Sequence, residues 1–144
     1  MRKLLFTLTF LAGFLTASAQ TGLKINDLFQ GRIIPQDRLI ETRVRGKTLE
    51  KYQLNYYRSL RFTATETESK RLRELVDNDA RGRFVNISET NHSYTHKMQV
   101  PPQNGKNRFL CYREEWAKRG DHEVTVIYME GTVGSLEELE ELLK

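Results

Sequence analysis

Apolar positions along this chain change their period several times, and each change marks an element. Ile25, Leu28 and Phe29 share a helical face and Gly31 follows them, so a short helix is expected over Ile25 to Phe29. Pro35 breaks the chain, and the loose alternation from Leu39 to Arg45, halted by Gly46, predicts a short strand. Two periods then compete. Leu49, Tyr52, Tyr56 and Leu60 fit a helix, whereas Leu54, Tyr56, Leu60 and Phe62 share one face of a strand, opposite Asn55, Ser59, Arg61 and Thr63. Aromatic and β-branched content decides for a strand over Gln53 to Thr63. Arg58 interrupts its apolar face and Tyr57 its polar one.

Thr65 and Glu68 have capping-box spacing, in which hydroxyl and carboxylate each satisfy an otherwise unpaired backbone amide. A helix follows, with a narrow stripe of Leu72, Leu75 and Val76 and Gly82 beyond its end. Four strands come next: Phe84 to Glu89, Tyr94 to Val100, Arg108 to Glu114 and Glu123 to Glu130. Their separators, Thr90 to Ser93, Pro101 to Asn107 and Glu115 to His122, are short and polar. Asn104-Gly105 is a strong turn signal, and Pro101-Pro102 cannot continue a central strand. Connections this short favour an antiparallel meander. The last two strands are apolar on both faces, with Leu110 and Tyr112 against Phe109 and Cys111, then Ile127 and Met129 against Val124, Val126 and Tyr128. That pattern suits central positions. Ser135 to Glu138 has the spacing of a second capping box. Leu136, Leu139, Leu142 and Leu143 then form an apolar face opposite Glu137, Glu138, Glu140 and Glu141, which read as a solvated face. The expected class is α+β: an antiparallel sheet of about five or six strands covered by two helices, with a short helix before it.

The first twenty residues carry a different message. Arg2 and Lys3 precede an apolar run from Leu4 to Leu15, and Ala17-Ser18-Ala19 follows, the order of a secretory signal peptide cleaved after Ala19. Residues 1–19 are therefore read as a leader and 20–144 as a single domain. Gln20 stands where a lipid-anchored chain would need cysteine, and no later apolar run is long enough for a membrane span. The expected location is the periplasm or outside the cell.

Charge changes the picture little. The chain has a formal net charge of +4, which includes Arg2 and Lys3. Its cations are scattered, so no nucleic-acid partner is expected. The lone Cys111 cannot form an internal disulfide and reads as a small apolar strand residue.

Candidate chemistry is sparse. His92 and His96, four apart, could share a metal on a helix, but on an extended strand they stand roughly 13 Å apart. Neither a metal nor a cofactor is expected. In the simplest hairpin Cys111 lies opposite Thr125, while His122 falls near Glu114, which argues against a Cys111–His122 dyad. That leaves His92 or His96 as the alternative base, to which no motif points. Glu114, Glu115 and Asp121 read as charged turn residues, Glu114 and Glu115 on opposite faces. One constellation points to binding. A meander puts alternate loops at the same end of the sheet, so Thr90 to Ser93 and Glu115 to His122 become neighbours. That end gathers His92, Tyr94, Trp116, Lys118 and Arg119, and Trp and Arg recur among residues that dominate binding energy. The bland account of Trp116 is a lid folded over the core.

Three runs also carry a resemblance: Leu54 to Phe62 (LNYYRSLRF), Pro101 to Tyr112 (PPQNGKNRFLCY), and Glu123 to Gly131 (EVTVIYMEG) leading into SLEELEELL. On these the chain resembles an uncharacterised family of small exported bacterial proteins, a domain of unknown function. The resemblance implies a bacterial envelope location and a similar fold, and it brings no catalytic residues. The leading expectation is a non-enzymatic envelope protein that binds another protein as an interaction or regulatory module. The alternative is a small-ligand binder with a pocket between sheet and helices lined by Tyr52, Tyr56, Tyr112 or Tyr128. A hydrolase using Cys111 or a carboxylate pair comes third.

Overall fold

The structure, a computed structural model, describes residues 22–80, 85–117 and 120–144. Residues 1–19, read from sequence as a leader, lie outside these residues, as do Gly82, Phe84, Lys118 and Arg119. Six antiparallel strands form one sheet: β1 (Ile40–Arg45), β2 (Leu54–Ala64), β3 (Val85–Glu89), β4 (Ser93–Gln103), β5 (Lys106–Trp116) and β6 (His122–Gly131), in the order β1-β2-β6-β5-β4-β3. The last four make the expected meander, and the two-sided strands β5 and β6 are central. Helix α1 (Asn26–Phe29) precedes the sheet. Helix α2 (Glu66–Ala80) carries the chain from β2 to the far edge strand β3, and helix α3 (Leu136–Leu143) closes the fold.

The sheet is covered on both faces. Under α2 and the N-terminal segment, Ile25, Leu28, Ile34, Leu60, Leu72, Val76, Leu110, Tyr112, Val126 and Tyr128 are buried together. Under α3 a smaller cluster holds Leu49, Leu54, Phe109, Met129, Val133 and Leu139. Leu142 packs partly against that cluster, while Leu143 stays exposed. Burial of this apolar surface, worth about 25 cal/mol per Å², drives the layering.

Arg58, the residue that breaks the apolar face of β2, is buried but served on every side. Its Nε donates to Glu41 at 2.7 Å, its Nη2 donates to the Phe29 carbonyl at 2.9 Å, and its guanidinium lies 5.0 Å from the Phe29 ring centre. Leu54 departs from expectation. Alternation puts it with Tyr56, Leu60 and Phe62, yet it packs under α3. A bulge is the cause: Leu54 pairs with Gly131 and Tyr56 with Glu130, so Asn55 is an extra residue and the alternation flips. Gly131 makes room, because a Cβ there would stand 2.3 Å from the Gln53 carbonyl oxygen.

The prolines are also corrected. β4 runs on through Pro101 and Pro102 to Gln103, with a register irregularity between Val100 and Gln103. Pro101 and Pro102 fall within that irregularity, a place where a strand tolerates proline. The turn is Asn104-Gly105, both at positive φ (53° and 73°), as a two-residue hairpin turn needs.

Both caps form, one of them differently. The Thr65 amide donates to Glu68 and the Glu68 amide to the Thr65 hydroxyl, at 3.0 and 3.2 Å. At α3 the Glu138 amide donates to Ser135 Oγ at 3.1 Å, but the Glu138 carboxylate accepts from Gly134 rather than from Ser135. Asp79, invisible as an anchor in sequence, is buried and accepts the amides of Lys24 and Ile25 at 2.6 and 2.9 Å. It ties the start of the described chain to the end of α2.

Candidate functional site

Alternation along the meander sends Tyr94 and His96 of β4, Tyr112, Glu114 and Trp116 of β5, and His122 of β6 to the α2 face. The register aligns Tyr94 with Glu114, His96 with Tyr112, and Trp116 with His122. The Trp116 amide donates to the His92 carbonyl at 2.8 Å. The two loops expected to be neighbours are neighbours, and the β5–β6 ladder reaches further than expected, so Trp116 ends a strand instead of standing in a loop.

Glu114 lies at the centre. It was expected to be a turn charge and is instead wholly buried. Arg73, from α2, donates from Nε to one carboxylate oxygen. His122 Nδ1 stands 2.7 Å from the other. A carboxylate in that position favours hydrogen on Nδ1 and leaves Nε2 as an acceptor. The Arg73 guanidinium stacks 4.2 Å from the Tyr94 ring centre and 5.7 Å from that of Trp116, whose ring lies 6.2 Å from His122. Trp116 is thus half-buried and clasped between a guanidinium and an imidazole, which joins the lid and surface accounts in one residue. Tyr94, expected at the surface, is buried, with its hydroxyl 3.2 Å from His96 Nδ1. Burial pulls the His96 ring below the ordinary histidine range, against the charge of Asp77 on α2, which acts upward. Burial also pushes the Tyr112 hydroxyl up, helped by the charge of Glu114.

Of the expected site residues, His92, Tyr94 and Trp116 come together, His92 exposed and the other two held from below. Lys118 and Arg119 lie outside the described residues. The sequence pattern points to none of Arg73, Glu114 and His122 as site residues. His122 near Glu114 was legible from the hairpin. Arg73 was legible only as a charge beside Leu72 at the border of the helix stripe.

Other candidates separate. Cys111 pairs with Ile127, not Thr125, because the ladder closes at Trp116 and His122. Its neighbour Tyr112 faces α2, so the thiol points to the α3 face, away from His96 and His122, and burial pushes its pKa up. The four tyrosines do not share a pocket. Tyr52 packs under α3, whereas Tyr56, Tyr112 and Tyr128 are buried under α2, Tyr56 and Tyr128 edge to face at 5.9 Å. An open groove of about 370 Å³ on the α3 side is lined by Arg61, Arg113, Glu115, Glu123 and Thr125. Its charges are paired, Arg61 with Glu123 and Arg113 with Glu115, each at 3.1 Å. Among the described residues no cluster of three or more His, Cys, Asp or Glu side chains could hold a metal ion, and no helix is long and apolar enough to cross a membrane.

The fold and this cluster define the class: an α+β protein with a six-stranded antiparallel sheet, a helix on each face, and a buried ion network beneath one sheet end. Residues 12–143 match a family of unknown function, DUF6108, and the chain belongs to that family. No curated protein and no solved structure matches it.

Proposed function

We propose that this chain is a non-enzymatic, exported protein of the bacterial envelope, an interaction or regulatory module that binds another protein through the sheet end carrying His92 and Trp116. The observation that supports this is the fixed position of Trp116. Its backbone is tied to His92, and its ring is held by Arg73 and His122 while part of it stays open. An aromatic side chain ordered before binding loses little conformational freedom on contact, which is why such residues anchor interfaces. Export rests on the leader-like order of residues 1–19.

The small-ligand reading is less favoured because Tyr56, Tyr112 and Tyr128 are committed to the core. The hydrolase reading is weaker still, since Cys111 faces α3 whereas His96 and His122 face α2. The test is cross-linked capture from the native envelope with the tagged chain, compared with Trp116→Ala and His92→Ala. A partner lost in both variants supports the reading, and a partner retained in both moves the surface elsewhere.

A further inference from the structure

β1 is one edge of the sheet, and Ile40, Glu41, Thr42 and Arg43 are all exposed. Ile40 keeps 68% of its surface in solvent, the most of any large apolar residue described. An open edge presents unpaired backbone N–H and C=O groups, a ready template for another strand. The register with β2 divides the strand. Val44 stands opposite Tyr57 and packs under α3, so Ile40, Thr42 and Val44 share that face, while Glu41, Arg43 and Arg45 share the α2 face with Arg58.

Two copies meeting edge to edge about a twofold axis, antiparallel, bring residues of the same face opposite each other. That restricts the possible registers. Centred on Thr42, the pairing sets Thr42 against Thr42 of the second copy, Glu41 against Arg43, Arg43 against Glu41, and Ile40 against Val44. Centred on Glu41 it opposes two glutamates, centred on Arg43 it opposes two arginines, and centred on Val44 it opposes Arg43 with Arg45. Like charges directly opposite are unfavourable, whereas opposite charges and β-branched pairs are favourable. Of these, the Thr42 register alone opposes no like charges and pairs every residue from Ile40 to Val44 favourably. Among its described residues the other edge, β3, carries Glu89 but no cation, so it holds no ion pair to define a register.

We infer that β1 is a homodimerisation edge, pairing with β1 of a second copy in the Thr42-centred register to join the two sheets into one. The exposed Ile40 is then covered by Val44 of the second copy. Arg43, which in one chain reaches back to its own Glu41, meets a second carboxylate. Each half of the contact repeats the other, so the assembly closes at two copies.

Disulfide trapping in a Cys111→Ser background tests the register, with sedimentation velocity over a concentration series alongside. Thr42→Cys sits on the axis and is expected to form a covalent dimer on mild oxidation. Ile40→Cys alone is expected not to, because its counterpart lies four residues away along the strand, beyond disulfide reach. A mixture of Ile40→Cys and Val44→Cys is expected to cross-link between the two species. Arg43→Glu, a change at an exposed side chain, should weaken association by roughly tenfold or more. A chain that stays monomeric throughout, a Thr42→Cys variant no quicker to cross-link than Ile40→Cys, or a dimer indifferent to Arg43→Glu would each overturn the inference.

Discussion

Glu114 and His122 stand 2.7 Å apart across the β5–β6 ladder, the carboxylate wholly buried and the imidazole partly open. Arg73 closes the other side of the carboxylate. Breaking a buried pair by removing one partner strands a charge, at a cost of about 3–5 kcal/mol, whereas replacing both partners with apolar groups costs far less. Arg73→Met and Glu114→Leu are each expected to destabilise the fold by that order. The double variant should fall well short of the sum. Urea titration of the four species measures the coupling, and strict additivity would show that the pair is not a unit.

The bulge at Leu54 depends on Gly131, whose missing side chain admits the Gln53 backbone. Gly131→Ala forces that backbone to move. The expected loss is about 1–3 kcal/mol, read as a lowered urea midpoint. Gly134→Ala, where the nearest neighbour is the mobile end of Glu138, should cost less.

Acid stability has two sources of known sign. Hydrogen bonds from Arg38 hold the Glu68 carboxyl down to about 2, with further help from the Thr65 cap. Its contribution is present above 4.5, the ordinary carboxyl value, and is lost as pH falls from there through about 2. Glu68→Gln should therefore lower stability at neutral pH and flatten the decline in that window. Thermal melts from pH 6 to pH 2 follow it.

His96 acts at higher pH. Burial keeps its ring neutral in the fold, while the unfolded chain takes up a proton as pH drops below 6.5. Stability therefore falls on acidification from that point. The groups facing His96 are Tyr94 on its own strand and Asp77 from α2. His96→Gln is expected to flatten the decline that sets in below pH 6.5, and an unchanged slope would assign it to other groups.

Much of this architecture was legible in sequence, and the misses share a cause. Thr65 and Glu68, Asn104 and Gly105, and the two-sided β5 and β6 act through neighbours within a few residues or through alternation alone, so pattern reveals them. Leu54 was misplaced because one extra residue reverses a period of two, and nothing local to Asn55 announces a bulge. Glu114 was misjudged because its burial depends on Arg73, 41 residues earlier in the chain. For the same reason Asp79 gave no sign of holding amides 54 and 55 residues away. At the candidate site, sequence reasoning brought the two loops together but could not tell which side chains the helix would press inward.

The central claim is that the Trp116 end recognises a partner, and it is tested most directly by quantitative cross-linked capture with four chains in parallel: unaltered, Trp116→Ala, His92→Ala, and Arg45→Ala at the opposite end of the sheet. Circular dichroism on each confirms that the fold is kept. The account predicts one enriched protein that is depleted with Trp116→Ala and His92→Ala and undiminished with Arg45→Ala. Equal enrichment by all four, or by none, contradicts it.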